Sequence, residues 1–155
     1  MTILALSMPA GRKLLEATDA SVRDVGTAVL RVALGIMFLA HSVVLKFMTY
    51  GLAGTAQFFV GVGLPAWLAY VTFVAEAVGG VMLVLGIAGR YAAVALSPFL
   101  LGAWFVVHLG NGWVFTAPNG GWEYPAYLFV LCVAQALLGD GAFALRPVRL
   151  PFARG

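Results

Sequence analysis

Four stretches of this chain, residues 27–48, 66–88, 91–109 and 123–140, are almost wholly apolar. Each is close to the ~20 residues an α-helix needs to cross the hydrocarbon core of a bilayer. Inside hydrocarbon no water satisfies backbone N–H and C=O groups, so a spanning segment must be a helix or part of a closed barrel. Strict polar–apolar alternation is absent, which argues against the barrel. Only 10% of residues are charged and 63% are hydrophobic, against about 25% and 45–50% in soluble domains. The expected fold is an all-α integral membrane protein, an antiparallel four-helix transmembrane bundle. Residues 1–25 form an N-terminal segment, 26–145 the membrane domain and 146–155 a basic tail.

Charge orients this bundle. Arg12, Lys13 and Arg23 precede the first span, Arg90 separates the second from the third, and Arg146, Arg149 and Arg154 follow the fourth. The opposite side has only Lys46. The positive-inside rule then places both termini in the cytoplasm. Seven interfacial aromatics, Tyr50, Trp67, Tyr70, Trp113, Trp122, Tyr124 and Tyr127, fall towards the outer interface, against Tyr91 inside. Met1–Ala10 lacks a basic n-region, so the first span is expected to act as an uncleaved insertion signal. The basic tails suit anionic lipid headgroups and are no evidence of nucleic acid.

Smaller signals divide the chain further. A short surface helix is expected through Lys13–Thr18. Gly54-Thr-Ala-Gln-Phe-Phe59 reads as an interfacial helix whose Phe58 and Phe59 dip into the bilayer surface. Gly63-Leu-Pro65 stops it, Gly89-Arg90 makes a tight turn, and Pro98 is placed to kink the third span. Leu34-Gly-Ile-Met-Phe-Leu-Ala-His41 parallels Leu101-Gly-Ala-Trp-Phe-Val-Val-His108 at a constant offset of 67 residues, and Arg23 maps onto Arg90. Two duplicated helical hairpins are one explanation.

Charges inside a membrane are costly, so they face the bundle and find partners. Thr72, Glu76, Gly79, Gly80 and Leu83 share one helix face, and the glycines permit close helix approach. Glu76 lies mid-membrane at the level of His41. The pair is expected to bond, either as a packing contact or as a proton relay. Arg31 is expected at the headgroups. Lys46 either snorkels or, with His108 and Glu123 at a similar level, helps hold a ligand. Glu123 also suits the positive end of the fourth helix as a cap.

Between the third and fourth spans runs His108-Leu-Gly-Asn-Gly-Trp-Val-Phe-Thr-Ala-Pro-Asn-Gly-Gly-Trp-Glu-Tyr-Pro125. His108, Asn111, Trp113, Trp122 and Glu123 make this loop the candidate ligand site. Its Asn-Gly steps are also turn signals, and a small hairpin between Trp113 and Trp122 would explain them without a ligand.

Several chemistries lack their motifs: covalent haem attachment, nucleotide loops, iron–sulfur spacing and HExxH. No metal site is expected. A b-type haem needs two histidines on facing helices at one depth. His41 and His108 differ by about one helical turn, ~5 Å, which argues against it. One cysteine, Cys132, rules out an internal disulfide couple and reads as a small buried hydrophobe.

The chain resembles the DoxX family of small four-span bacterial membrane proteins over about residues 26–145. The resemblance rests on Leu39-Ala-His-Ser42 with Lys46, Gly54–Phe59, Gly63–Pro65, Ala75-Glu-Ala-Val-Gly-Gly80, Leu85-Gly86 with Arg90, His108–Trp113, Gly120-Gly-Trp-Glu-Tyr124 and Leu138-Gly-Asp-Gly141. Many members carry His-Gly-x-x-Lys in the first span. Here one extra residue separates His41 from Lys46, which in an α-helix rotates Lys46 by about 100°. The resemblance implies an inner-membrane, quinone-linked or redox-associated role, similar to subunits of thiosulfate:quinone oxidoreductase.

In that reading Trp113 and Trp122 stack on a quinone, His108, Lys46 or Glu123 bond its carbonyls, and His41 and Glu76 pass protons. A partner supplies the electrons. One alternative is a non-enzymatic membrane anchor or assembly factor for a redox partner, docking through the outer loop. Another is a proton-coupled carrier of a small amphiphile that uses Glu76, for which so short a chain would have to dimerise.

Overall fold

The computed structural model describes residues 10–148, with side chains from residue 17 onward. The expected segment before residue 10 and the tail with Arg149 and Arg154 lie outside the described residues. Helix α1 spans Ala10–Leu39 and runs on without a break as a π-helix, Ala40–Thr49. No separate surface helix at Lys13–Thr18 precedes the first span, because the same helix already begins at Ala10. Helix α2 is Gly51–Gly61 and α3 is Trp67–Leu85. Helix α4, Gly89–Gly102, contains Pro98 and continues as a π-helix, Ala103–His108, and a 3-10 turn, Leu109–Asn111. After a loop, α5 covers Glu123–Leu138.

Among the described residues three helical runs are long and apolar enough to cross a membrane: Ala17–Thr49, Trp67–Leu85 and Gly89–Asn111. The fourth expected span is shorter. Helix α5 has 16 residues, about 24 Å at 1.5 Å per residue, against a hydrocarbon core of about 30 Å. It stops at Leu138 because Gly139 turns away at φ +96°. Among the described residues the architecture is an all-helical membrane bundle of three long helices and the shorter α5, with α2 as a short helix between the first two.

Packing is most extensive between α1 and α3 and between α4 and α5. The shared core holds Leu34 and Phe38 from α1, Leu83 from α3, Leu96 and Leu100 from α4, and Leu128 and Cys132 from α5. Cys132 is fully buried among them, as expected of a small hydrophobe. The buried face of α3 is Ala69, Thr72, Glu76, Gly79, Gly80 and Leu83. This is the predicted face with Ala69 added one turn earlier. On α2, Phe59 is buried with Ala56 against Ala69, whereas Phe58 stays exposed. Only one of the two phenylalanines therefore faces outward, because consecutive helical residues point about 100° apart.

Arg31 corrects the expectation of headgroup contact. It is 1% exposed. Its Nη1 donates to the carbonyls of Leu83 (2.9 Å) and Val84 (3.3 Å), and Nη2 donates to Ala142 O (3.1 Å). The last carbonyls of a helix lack intrahelical partners, and a cation is also favoured by the negative end of the helix dipole. Arg31 therefore caps α3 and ties it to the chain beyond α5. A Cβ at Gly86 would collide with Arg31 Nη1.

Leu138-Gly-Asp-Gly141 completes the same junction. The buried Asp140 accepts from Arg90 N at 3.0 Å and Val148 N at 2.7 Å. Backbone bonds between Gly86–Ala88 and Arg146, both 3.0 Å, close it. Lysine carries one ammonium in place of the planar fork and cannot reach both α3 and Ala142. Arg31→Lys is expected to cost at least about 1.5–3 kcal/mol, the worth of one hydrogen bond to a charged group. Thermal unfolding in detergent measures this, and an unshifted midpoint would refute the capping role.

Candidate functional site

At the opposite end of the bundle, Lys46 Nζ donates to Glu76 Oε2 at 2.5 Å. Both side chains are largely buried, at 19% and 10% exposure. The expected bond between Glu76 and His41 does not form, because Lys46 takes the carboxylate. The local helix type is the reason. In an α-helix, five-residue spacing would turn Lys46 away from His41. The Ala40–Thr49 segment is π-helical, and its i→i+5 bonding brings residues five apart close to one face. The extra residue between His41 and Lys46 is thus absorbed.

His41 Nδ1 lies 3.0 Å from Met37 O. A carbonyl only accepts, so Nδ1 carries the proton and Nε2 is left as the basic nitrogen. The ring stacks on Tyr124 of α5, with centroids 5.8 Å apart. Tyr124 therefore joins the π-helical run to the start of α5.

The loop after α4 folds on itself. His108 Nδ1 and Asn111 Nδ2 both donate to Gly120 O, each at 2.9 Å. Trp122 N donates to Gly112 O and Glu123 N to Trp113 O, each at 3.0 Å. These two bonds close the loop between Trp113 and Trp122, but as an irregular turn without strand pairing in place of the small hairpin expected there. Gly121 allows the close return, since a Cβ there would strike the carbonyls of Trp113 and Val114. Glu123 makes no helix-capping bond and instead accepts from Phe115 N at 2.8 Å. Lys46, His108 and Glu123 share no hydrogen bond or ion pair. Each is committed elsewhere.

Closing the loop assembles an aromatic wall. Trp122 lies parallel to Trp104 of the π-helical run, with centroids 5.5 Å apart and planes 10° from parallel. Trp113 meets Trp122 edge-on at 4.4 Å. These rings and Tyr124 line an open apolar groove of about 420 Å³ that continues along α5. Trp104 Nε1 is buried without an acceptor among the described residues. Such a donor costs about 1–3 kcal/mol if left unpaired.

The structure thus separates the predicted residues into two groups. Lys46 and Glu76 form a largely buried ion pair, and half-buried His41 is tied to Met37 and Tyr124 instead. Trp113, Trp122 and Glu123 line the groove, with His108 and Asn111 fixing the loop that shapes it. Tyr124, which touches both groups, was legible only as an interfacial aromatic. Trp104 was legible only as the residue preceding Phe105 in the internal repeat.

A family model described as DoxX matches residues 26–109. A curated protein of Bacillus subtilis (strain 168), named "Putative oxidoreductase CatD", is 36% identical over 124 residues, which is 80% of this chain and 87% of that protein. No solved structure matches the chain. The family match includes the Lys46–Glu76 pair, His41 and Trp104, and it spans more than half of the sequence. The chain belongs to the DoxX family.

Proposed function

We propose that this is a redox-associated protein of the bacterial inner membrane that binds a quinone in the aromatic groove, with both termini cytoplasmic. The observation that carries the reading is the groove itself. Two parallel indoles and a third edge-on border it beside an unsatisfied buried donor. Apolar, aromatic-lined concavities with few placed polar groups are the usual form of small-molecule sites. A planar quinone ring fits such walls. When bound, a quinone supplies a two-electron, two-proton couple, the electrons coming from a partner protein.

The chain's own residues hold the ring and manage protons. Trp104, Trp113 and Trp122 set its plane. Tyr124 extends from the groove to His41, whose Nε2 accepts or returns a proton. The Lys46–Glu76 pair fixes the charge beside it. The name of the Bacillus subtilis relative, an oxidoreductase, supports the redox assignment.

A second reading, a dock for the electron-donating partner, is favoured by exposed Trp113, Val114 and Phe115 on the loop. It is compatible with the first. The test is organic-solvent extraction of protein purified from its native membrane, followed by titration with 2-methyl-1,4-naphthoquinone read by tryptophan fluorescence. Co-extracted quinone and saturable quenching, weakened at least tenfold in Trp122→Ala, are expected. No extracted quinone and no saturable quenching would remove the quinone assignment.

A further inference from the structure

Helix α1 outruns the bundle. Arg31 meets the last carbonyls of α3, and Asp24 O accepts from Ala142 N, past the end of α5, at 2.9 Å. Helix α3 is about 28 Å long at 1.5 Å per residue, close to the full ~30 Å of hydrocarbon, so Arg31 marks its edge. Val25 and Val22 lie about 9 and 13 Å beyond Arg31 along the same unbroken helix. All of residues 17–26 are exposed, with Asp19, Arg23 and Asp24 among them. This stretch projects from the bilayer instead of lying along it, so lipid tails do not cover Val22 and Val25. Yet these two belong to a regular pattern. Val22, Val25, Val29, Val32 and Ile36 follow one another at alternating steps of three and four residues, and Leu15 and Thr18 continue the spacing backwards. That is a heptad seam. Val22, Val25, Val29 and Ile36 are 67%, 42%, 65% and 57% exposed, on the side of α1 away from buried Arg31, Leu34 and Phe38. Single surface apolar residues need no explanation. Five in one register, crossing from water into lipid, do.

We infer that α1 pairs with α1 of a second copy of this chain, in a parallel coiled coil that starts outside the hydrocarbon and runs into it. Copies inserted with one topology have parallel α1 helices, so each seam residue meets its own counterpart across a twofold axis. β-Branched residues at every seventh position, Val22, Val29 and Ile36, favour two strands. Ser21, Gly26 and Ala33 flank the seam, and small residues there let a second helix approach. Arg23 and Asp24 point away from it, so pairing buries neither charge. A helix standing clear of its bundle loses the tertiary packing on which most helical stability rests, and the second copy restores it. This inference stands on packing alone and is independent of the quinone reading.

The test is disulfide cross-linking of the full chain in intact membranes. Buried Cys132 makes the wild type the blank. Val22→Cys and Val25→Cys lie on the seam, whereas Ala20→Cys and Arg23→Cys lie off it on the same exposed stretch. Oxidation is expected to give a product of twice the chain mass at the first two positions, at least fivefold more than at the other two. Single-fluorophore photobleaching in nanodiscs cut directly from the membrane is expected to show two steps for the wild type and one for the double variant Val22→Glu, Val25→Glu. Val22→Leu with Val25→Leu keeps the seam apolar and is expected to retain two steps, which separates loss of pairing from loss of folding. Equal cross-linking at all four positions would overturn the pairing, as would a product of any other mass. One bleaching step for the wild type, more than two, or two steps that survive the glutamates would overturn it as well.

Discussion

Lys46→Met is expected to destabilise the bundle by about 3–5 kcal/mol, the usual cost of removing one partner from a buried ion pair. The two partners are not equivalent. Glu76 sits mid-helix on a short side chain and is 8% exposed, so without Lys46 its carboxylate has no route to water. Lys46 has a four-carbon stem near the end of its helix and can snorkel towards the interface if Glu76 is lost. Glu76→Leu is therefore expected to cost distinctly less than Lys46→Met. Replacing both with apolar residues removes both desolvation penalties, and such replacements are often near neutral. The double variant should accordingly be more stable than Lys46→Met alone. Chemical or thermal unfolding in a single detergent, run as a double-mutant cycle, isolates the coupling. Purely additive costs would show that the contact contributes little, and the reverse ranking of the single variants would refute the snorkelling argument.

What the sequence revealed, and what it hid, follows from the range of the interactions. The buried face of α3 was legible because helical periodicity is local: Thr72, Glu76, Gly79, Gly80 and Leu83 needed only a 3.6-residue repeat. Cys132 and the three long spans were legible on composition, whereas the fourth expected span is a shorter helix. The partner of Glu76 was missed because depth and periodicity were counted on an α-helix, and the Ala40–Thr49 segment is π-helical. No residue type announces that change of period. Arg31 was misplaced because its carbonyl acceptors lie 52, 53 and 111 residues away. Trp104 gained its meaning only when the loop returned Trp122 against it. The loop was correctly singled out, yet its most polar residues, His108 and Asn111, spend their bonds on Gly120 O. Its aromatic residues, and the Tyr124 that follows them, are what it offers a ligand.

Gly35→Val is expected to be the most damaging glycine substitution in α1. A Cβ at Gly35 would lie 2.7 Å from Val84 Cγ2, 2.8 Å from Gly80 O and 2.9 Å from Val84 N. Two of these atoms are backbone of α3, so no side-chain rotation relieves the clash. The contact is reciprocal, since a Cβ at Gly80 would meet Gly35 O at 3.0 Å. Small residues at such crossings supply the close packing that holds membrane helices together where lipid removes the hydrophobic drive. Forcing α1 from α3 also separates the helices that carry Lys46 and Glu76. Overpacking typically costs about 1–3 kcal/mol, and more when backbone must move, so the upper part of that range or beyond is expected here. The internal repeat provides a control. Gly102 aligns with Gly35, but a Cβ there meets nothing within 4 Å. Gly102→Ala should leave the unfolding midpoint unchanged or raise it, since alanine favours the helix by roughly 0.5–1 kcal/mol over glycine. Similar losses at both positions would mean that the α1–α3 crossing is no tighter than the rest of the bundle. A loss confined to Gly35 places the closest helix contact in the first half of the repeat, where the second half has open space.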